Sequence, residues 1–115
     1  MKSYTDIEQS RKLAEILPIE SADMWWTALD WQETKHYVEV KQDGINQPKK
    51  AIPCWSLVAL LNTLPKVEGF KPVIDLDINQ IRYEGTFRDE LVFNGKDLIN
   101  PCFEMIVKLK ELNML

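Results

Sequence analysis

Pro53-Cys54-Trp55-Ser56-Leu57-Val58-Ala59-Leu60-Leu61-Asn62-Thr63-Leu64 and Pro101-Cys102-Phe103-Glu104-Met105-Ile106-Val107-Lys108-Leu109-Lys110-Glu111-Leu112 follow one template: proline, cysteine and an aromatic lead into an apolar run. Proline is favoured in a first helical turn, where its missing N–H has no intrahelical partner to lose. Both stretches therefore read as helices, Pro53 to Leu64 and Pro101 to Leu112. The first carries no charge and is apolar around nearly its whole circumference, which predicts a central helix buried on most sides. The second sets Cys102, Met105, Ile106, Leu109 and Leu112 on one face and the i,i+4 pair Glu104/Lys108 on the other. That predicts a surface helix laid on the core, capped by Asn100 with Pro101 at its first position. The strands expected around the two copies do not match, so convergence explains the shared template better than internal duplication does.

Outward from these helices, Thr5 and Glu8 have capping-box spacing. A helix then runs over Ile7, Leu13, Ala14, Ile16 and Leu17 until Pro18, with Glu8/Lys12 and Arg11/Glu15 pairing on its wet face. Ser21 to Trp31 fits a helix face by spacing and a strand by its tryptophans, and a strand is favoured. His36-Tyr37-Val38-Glu39-Val40-Lys41 alternates and ends at the turn signal Asp43-Gly44. Gln42 to Lys50 reads as a surface loop. Val73 to Ile78 alternates as a strand; Ile81 to Glu84 and Phe87 to Phe93 follow it, and Asn94-Gly95 marks a turn. Strands grouped between helices predict an α+β fold: one domain over residues 1–115, with a small antiparallel sheet of three to five strands, three helices and the Pro53 helix central.

Composition narrows the functional classes. With 45% apolar and 28% charged residues the chain is built to fold around a core. The net charge of -4 is mild, and Arg11-Lys12 and Lys49-Lys50 are the two adjacent basic pairs, far apart in the chain. A phosphate-binding surface needs a basic track, so nucleic acid is disfavoured as a partner. The polar N-terminus shows no secretory leader and no apolar stretch is long enough to span a membrane, so the expectation is a cytoplasmic protein with reduced cysteines. Two cysteines without CxxC spacing and one histidine supply no standard zinc site, and no phosphate-binding glycine loop exists, so no metal or cofactor is expected.

Four features could carry chemistry or recognition. Cys54 and Cys102 fall in expected first turns, where a helix N-terminus lowers a thiol pKa; both also lie on apolar faces, which favours packing over reactivity. Asp75 and Asp77 share one face of an expected strand and read as a solvated edge rather than a cation site. His36 has no nucleophile motif to serve. Trp25, Trp26 and Trp31, beside Met24 and Leu29, form the candidate partner-binding surface, since tryptophan buries a large area at low entropic cost. Core packing is the competing reading for all three.

Three ordered blocks carry a resemblance: Ile16-Leu17-Pro18-Ile19-Glu20-Ser21-Ala22-Asp23-Met24; Pro53-Cys54-Trp55-Ser56-Leu57 through Leu64-Pro65; and Cys102-Phe103-Glu104-Met105-Ile106 through Leu112. Together they resemble an uncharacterised family of small proteins from gut anaerobes and their phages and mobile elements. Here Asn100-Pro101 precedes the second cysteine, where an acidic and a small residue are expected in that family. The resemblance implies a mobile-element setting and brings no activity, cofactor or catalytic residue. The leading expectation is a non-enzymatic accessory or adaptor protein that binds another protein or forms a homo-oligomer. The alternative is a small-molecule binder or enzyme using a helix-N-terminal cysteine.

Overall fold

The computed structural model describes residues 3–28, 35–41, 51–65, 71–85 and 91–115. Helix α1 spans Ile7–Ala14, and Asp6 rather than Thr5 caps it. The Asp6 carboxylate accepts the Gln9 N–H at 2.7 Å, and the Gln9 side chain accepts the Asp6 N–H at 3.1 Å. The capping box is thus one residue later than the Thr5/Glu8 spacing suggests, because Thr5 is drawn wholly into the interior. A single 3-10 turn follows at Ile19–Ser21, after Pro18.

Strand β1 (Met24–Ala28) settles the helix-or-strand ambiguity in favour of the strand. It lies between β2 (His36–Val40) and β3 (Ile52–Cys54), antiparallel to both. Trp26 stands opposite Val38 and Ile52, and Trp25 opposite Glu39 and Pro53. Pro53 therefore begins no helix. It is buried in an edge strand, where a missing N–H need cost no ladder bond.

Helix α2 covers only Leu57–Thr63, with Ser56 as its cap. Within it Ala59 and Leu60 are buried, while Val58 is 66% exposed. The expectation of a central, all-round buried helix from Pro53 is corrected on both counts. The apolar run is shared between a strand, a buried Trp55 and a short helix with one face in water.

The second sheet joins β4 (Lys71–Asp75), β5 (Gln80–Glu84) and β6 (Val92–Asn94) in that order, all antiparallel. Ile74, Ile81 and Phe93 align across it and belong to the core, while Arg82 bonds Gln80 and Glu84 along the outer face. The strand expected from Val73 to Ile78 stops at Asp75, whose carboxylate accepts the Asp77 N–H at 3.1 Å and turns the chain. Leu76 and Ile78 consequently point into water, 73% and 50% exposed. Of the strand expected over Phe87 to Phe93, Phe87 to Glu90 lie outside the described residues, and Val92 and Phe93 fall in β6.

Helix α3 (Ile99–Glu111) buries Ile99, Cys102, Met105, Ile106 and Leu109, the face read from the sequence. Leu98 rather than Asn100 is the cap position; Asp97, one residue before it, accepts the Asn100 N–H at 2.9 Å, and Pro101 sits third in the helix. Asn100 instead accepts a 2.7 Å bond from the Gln9 amide, tying α3 to α1. At the other end Asn113 adopts φ 57°. Met114 N–H bonds Leu109 O at 2.9 Å and Asn113 N–H bonds Lys110 O at 3.1 Å, which together make a Schellman close. The class is α+β with antiparallel pairing, three α-helices and two three-stranded sheets among the described residues.

The left-handed position at Asn113 gives a direct test. Asn113→Val should lower unfolding free energy by about 1–2 kcal/mol in denaturant titrations, because a β-branched residue is strained there. Asn113→Gly should match or slightly exceed the parent.

Candidate functional site

Thr5 is fully buried and joins three elements. Its N–H donates to Trp55 O at 3.0 Å, and its Oγ1 accepts the Trp55 N–H at 3.1 Å. Ser10 Oγ lies 2.7 Å from Thr5 Oγ1, and Cys54 Sγ lies 3.6 Å from it. Thr5 O accepts from the Trp26 indole N–H at 3.0 Å and from the Cys54 thiol at 3.4 Å. One proton assignment satisfies every donor: Ser10 to Thr5 Oγ1, Thr5 to Cys54 Sγ, and Cys54 to Thr5 O. In this assignment the thiol both accepts and donates a hydrogen bond within the network.

Trp26 is the aromatic residue so held. Its ring also meets Tyr4 edge-on, with centroids 5.8 Å apart at 71°. By strand alternation Met24, Trp26, Val38 and Val40 share one sheet face with Ile52 and Cys54. On the β3 side that face is closed, with Cys54 fully buried beside Thr5 and Ser10. On the β2 side it opens: Trp26 and Val38 are half-buried and Val40 is 66% exposed.

Trp25 points to the opposite face and is buried, with the Lys41 ammonium 4.5 Å from its ring centroid. Lys41 Nζ also donates to Ile19 O at 3.0 Å. Partial burial pulls the Lys41 pKa below its usual value, against the pull of the Glu20 and Asp23 carboxylates towards the charged form. Trp31 lies outside the described residues. The structure thus divides Trp25 and Trp26 between the two sides of β1.

The cysteines occupy unequal settings. Cys54 ends a strand and has no helix N-terminus beneath it, so the first-turn expectation is corrected. Burial pushes its thiol pKa up, and the neighbouring Thr5 and Ser10 hydroxyls only partly oppose this. Cys102 is the fourth residue of α3, and its N–H is already bonded to Leu98 O at 3.1 Å. Its thiol is pushed up to about 12 by burial, with the Asp97 carboxylate adding to the rise. Both are free and fully buried. Asp75 ends β4 and Asp77 lies in the turn after it, so the two do not share a strand face, which corrects their expected placement. Among the described residues no His, Cys, Asp and Glu cluster could hold a metal ion, and no helix is long and apolar enough to cross a membrane. His36 lies half-buried in the edge strand β2.

Sequence reading singled out neither Thr5 as a buried node nor Asp23. The Asp23 carboxylate accepts the Ser56 N–H at 2.9 Å and the Ser56 hydroxyl, whose oxygen in turn accepts the Ala59 N–H at 3.2 Å. Ser56 immediately before an apolar run was the available cap signal. Nothing local marks Thr5, because all of its partners except Ser10 lie far along the chain.

Two measurements follow from this arrangement. Thr5→Val keeps shape but removes the acceptor for the buried Trp55 N–H, and should cost about 2–3 kcal/mol of stability, against about 1 kcal/mol for Thr5→Ser. Both thiols should label at neutral pH only through opening of the fold. Because the folded pKa of Cys102 stands above its unfolded value of about 8.5, its contribution to stability is complete below that pH. It is lost as pH rises towards about 12. A stability-versus-pH curve for Cys102→Ala should therefore fall less steeply across that alkaline window.

Compared with known protein families, with curated proteins and with solved structures, the chain matches none.

Proposed function

We propose that this chain is a non-enzymatic accessory or adaptor protein, that it binds another protein through the open side of the first sheet, and that it serves a phage or mobile element. The observation that carries the reading is the state of Trp26: half-buried, fixed by Thr5 O and Tyr4, and flanked by exposed Val40. A rigid aromatic beside exposed aliphatic surface loses little freedom on binding, which is what gives tryptophan its weight at interfaces. Among the described residues β2 is an edge strand of that sheet, which gives a partner a route to the face from that side. Trp25 supports the same surface from behind, as a buried wall stiffened by Lys41. The buried, raised-pKa thiols favour this reading over chemistry at Cys54 or Cys102.

The test is affinity capture from host extract with the parent chain, Trp26→Ala and Val40→Glu. Val40 is exposed, so Val40→Glu should leave the melting temperature unchanged while removing the partner that the parent retains at stoichiometric yield. Retention of that partner by both variants, or no stoichiometric partner for the parent, would overturn the proposal.

A further inference from the structure

A second surface, separate from the aromatic sheet face, lies on α3. Phe103 and Val107, one helical turn apart, form with Phe93 of β6 the floor of an open groove of about 310 Å³. Its rim carries both signs of charge: Lys12 and Lys108 against Glu104 and Glu111. Lys108 lies 3.7 Å from Glu111, and Lys12 lies 4.0 Å from Glu15. Glu104 is exposed and has no ion pair among the described residues.

We propose that this face of α3 is a two-fold interface with a second copy of the same chain. The charge pattern selects that occupant. A basic or an acidic partner segment would meet like charge on half of the rim. A second copy approaching antiparallel, about a two-fold axis passing between Glu104 and Lys108, sets each Glu104 level with the other copy's Lys108. The unpaired carboxylate then gains a cation, and the Phe103–Val107 ridges are laid together over the grooves. Such an interface is isologous, so one patch must complement itself, and a balanced rim around an apolar floor meets that condition. This inference does not rest on the function proposed above, because the sheet face can bind its partner in a monomer or in a dimer.

Sedimentation velocity of the full chain from micromolar to sub-millimolar concentration is the test. The mass should rise with concentration from 13.4 kDa towards twice that value. Glu104→Lys and Lys108→Glu, each placing like charges across the axis, should weaken self-association about tenfold or more, and the double exchange should restore it. Circular dichroism and melting curves on the same samples check that both exposed-rim variants remain folded. A mass of 13.4 kDa for the parent at every concentration would overturn the proposal. So would a dimer that the folded single variants leave intact, or one that the double exchange fails to restore.

Discussion

The short contact between residues 4–5 and residues 55–56 is the joint on which the first half of the molecule turns. Tyr4 and Ser56 form an isolated antiparallel bridge, and Thr5 exchanges two hydrogen bonds with Trp55 at its core side. The joint lies where α1, β3 and α2 approach one another, so its polar groups are removed from water. Buried groups of this kind must be paired, since an orphaned donor costs about 1–3 kcal/mol. Directional pairing does what apolar packing cannot: it sets the position of the N-terminal segment to the residue. The Trp55 indole, bonded to Ser21 Oγ at 2.9 Å, carries the same fixation across to the 3-10 turn.

The joint also decides the chemistry of its surroundings. Cys54 is held between the Thr5 hydroxyl and the Thr5 carbonyl, in a place where burial favours the neutral thiol. Trp26, bonded to the same carbonyl, is fixed at the opposite, open side of the sheet face. One backbone carbonyl thus accepts from both the thiol and the indole, while burial keeps the thiol neutral.

Periodic segments were legible in the sequence: the apolar stripe of α3, the alternation of β2, and a strand through Trp25 and Trp26. The Pro-Cys-aromatic template misled at Pro53 because proline's fixed φ suits a first helical turn and an edge strand equally. What chooses between them is pairing with Trp25 of β1, a partner far along the chain. Charge would have helped: α3 has Lys and Glu to define a wet face, whereas the Pro53 run has none, so its exposed residue Val58 looks like core. The Asp75–Asn79 stretch failed for a related reason. Ile74, Leu76 and Ile78 alternate as a strand would, yet Asp75 makes a turn and Asn79 takes φ 48°, local preferences that outweigh the burial of two aliphatics. Of the candidate surface, the aromatic cluster was visible, but which face each ring takes was not, since that depends on register.

Register is where the joint and the surface meet. Strand side chains alternate, so a slip of β1 by one residue would exchange Trp25 and Trp26 between the faces. Hydrophobicity alone resists this weakly, because both residues are tryptophan. Two polar contacts break the tie. The Trp26 indole N–H has its acceptor only on the Thr5 side, and Lys41, held by its bond to Ile19 O, covers the ring that faces the other way. In the slipped arrangement an indole N–H would lose its carbonyl, and the Asp23 carboxylate would move off the cap of α2. The placement of the two rings is thus specified by hydrogen bonds on the closed side of the sheet face.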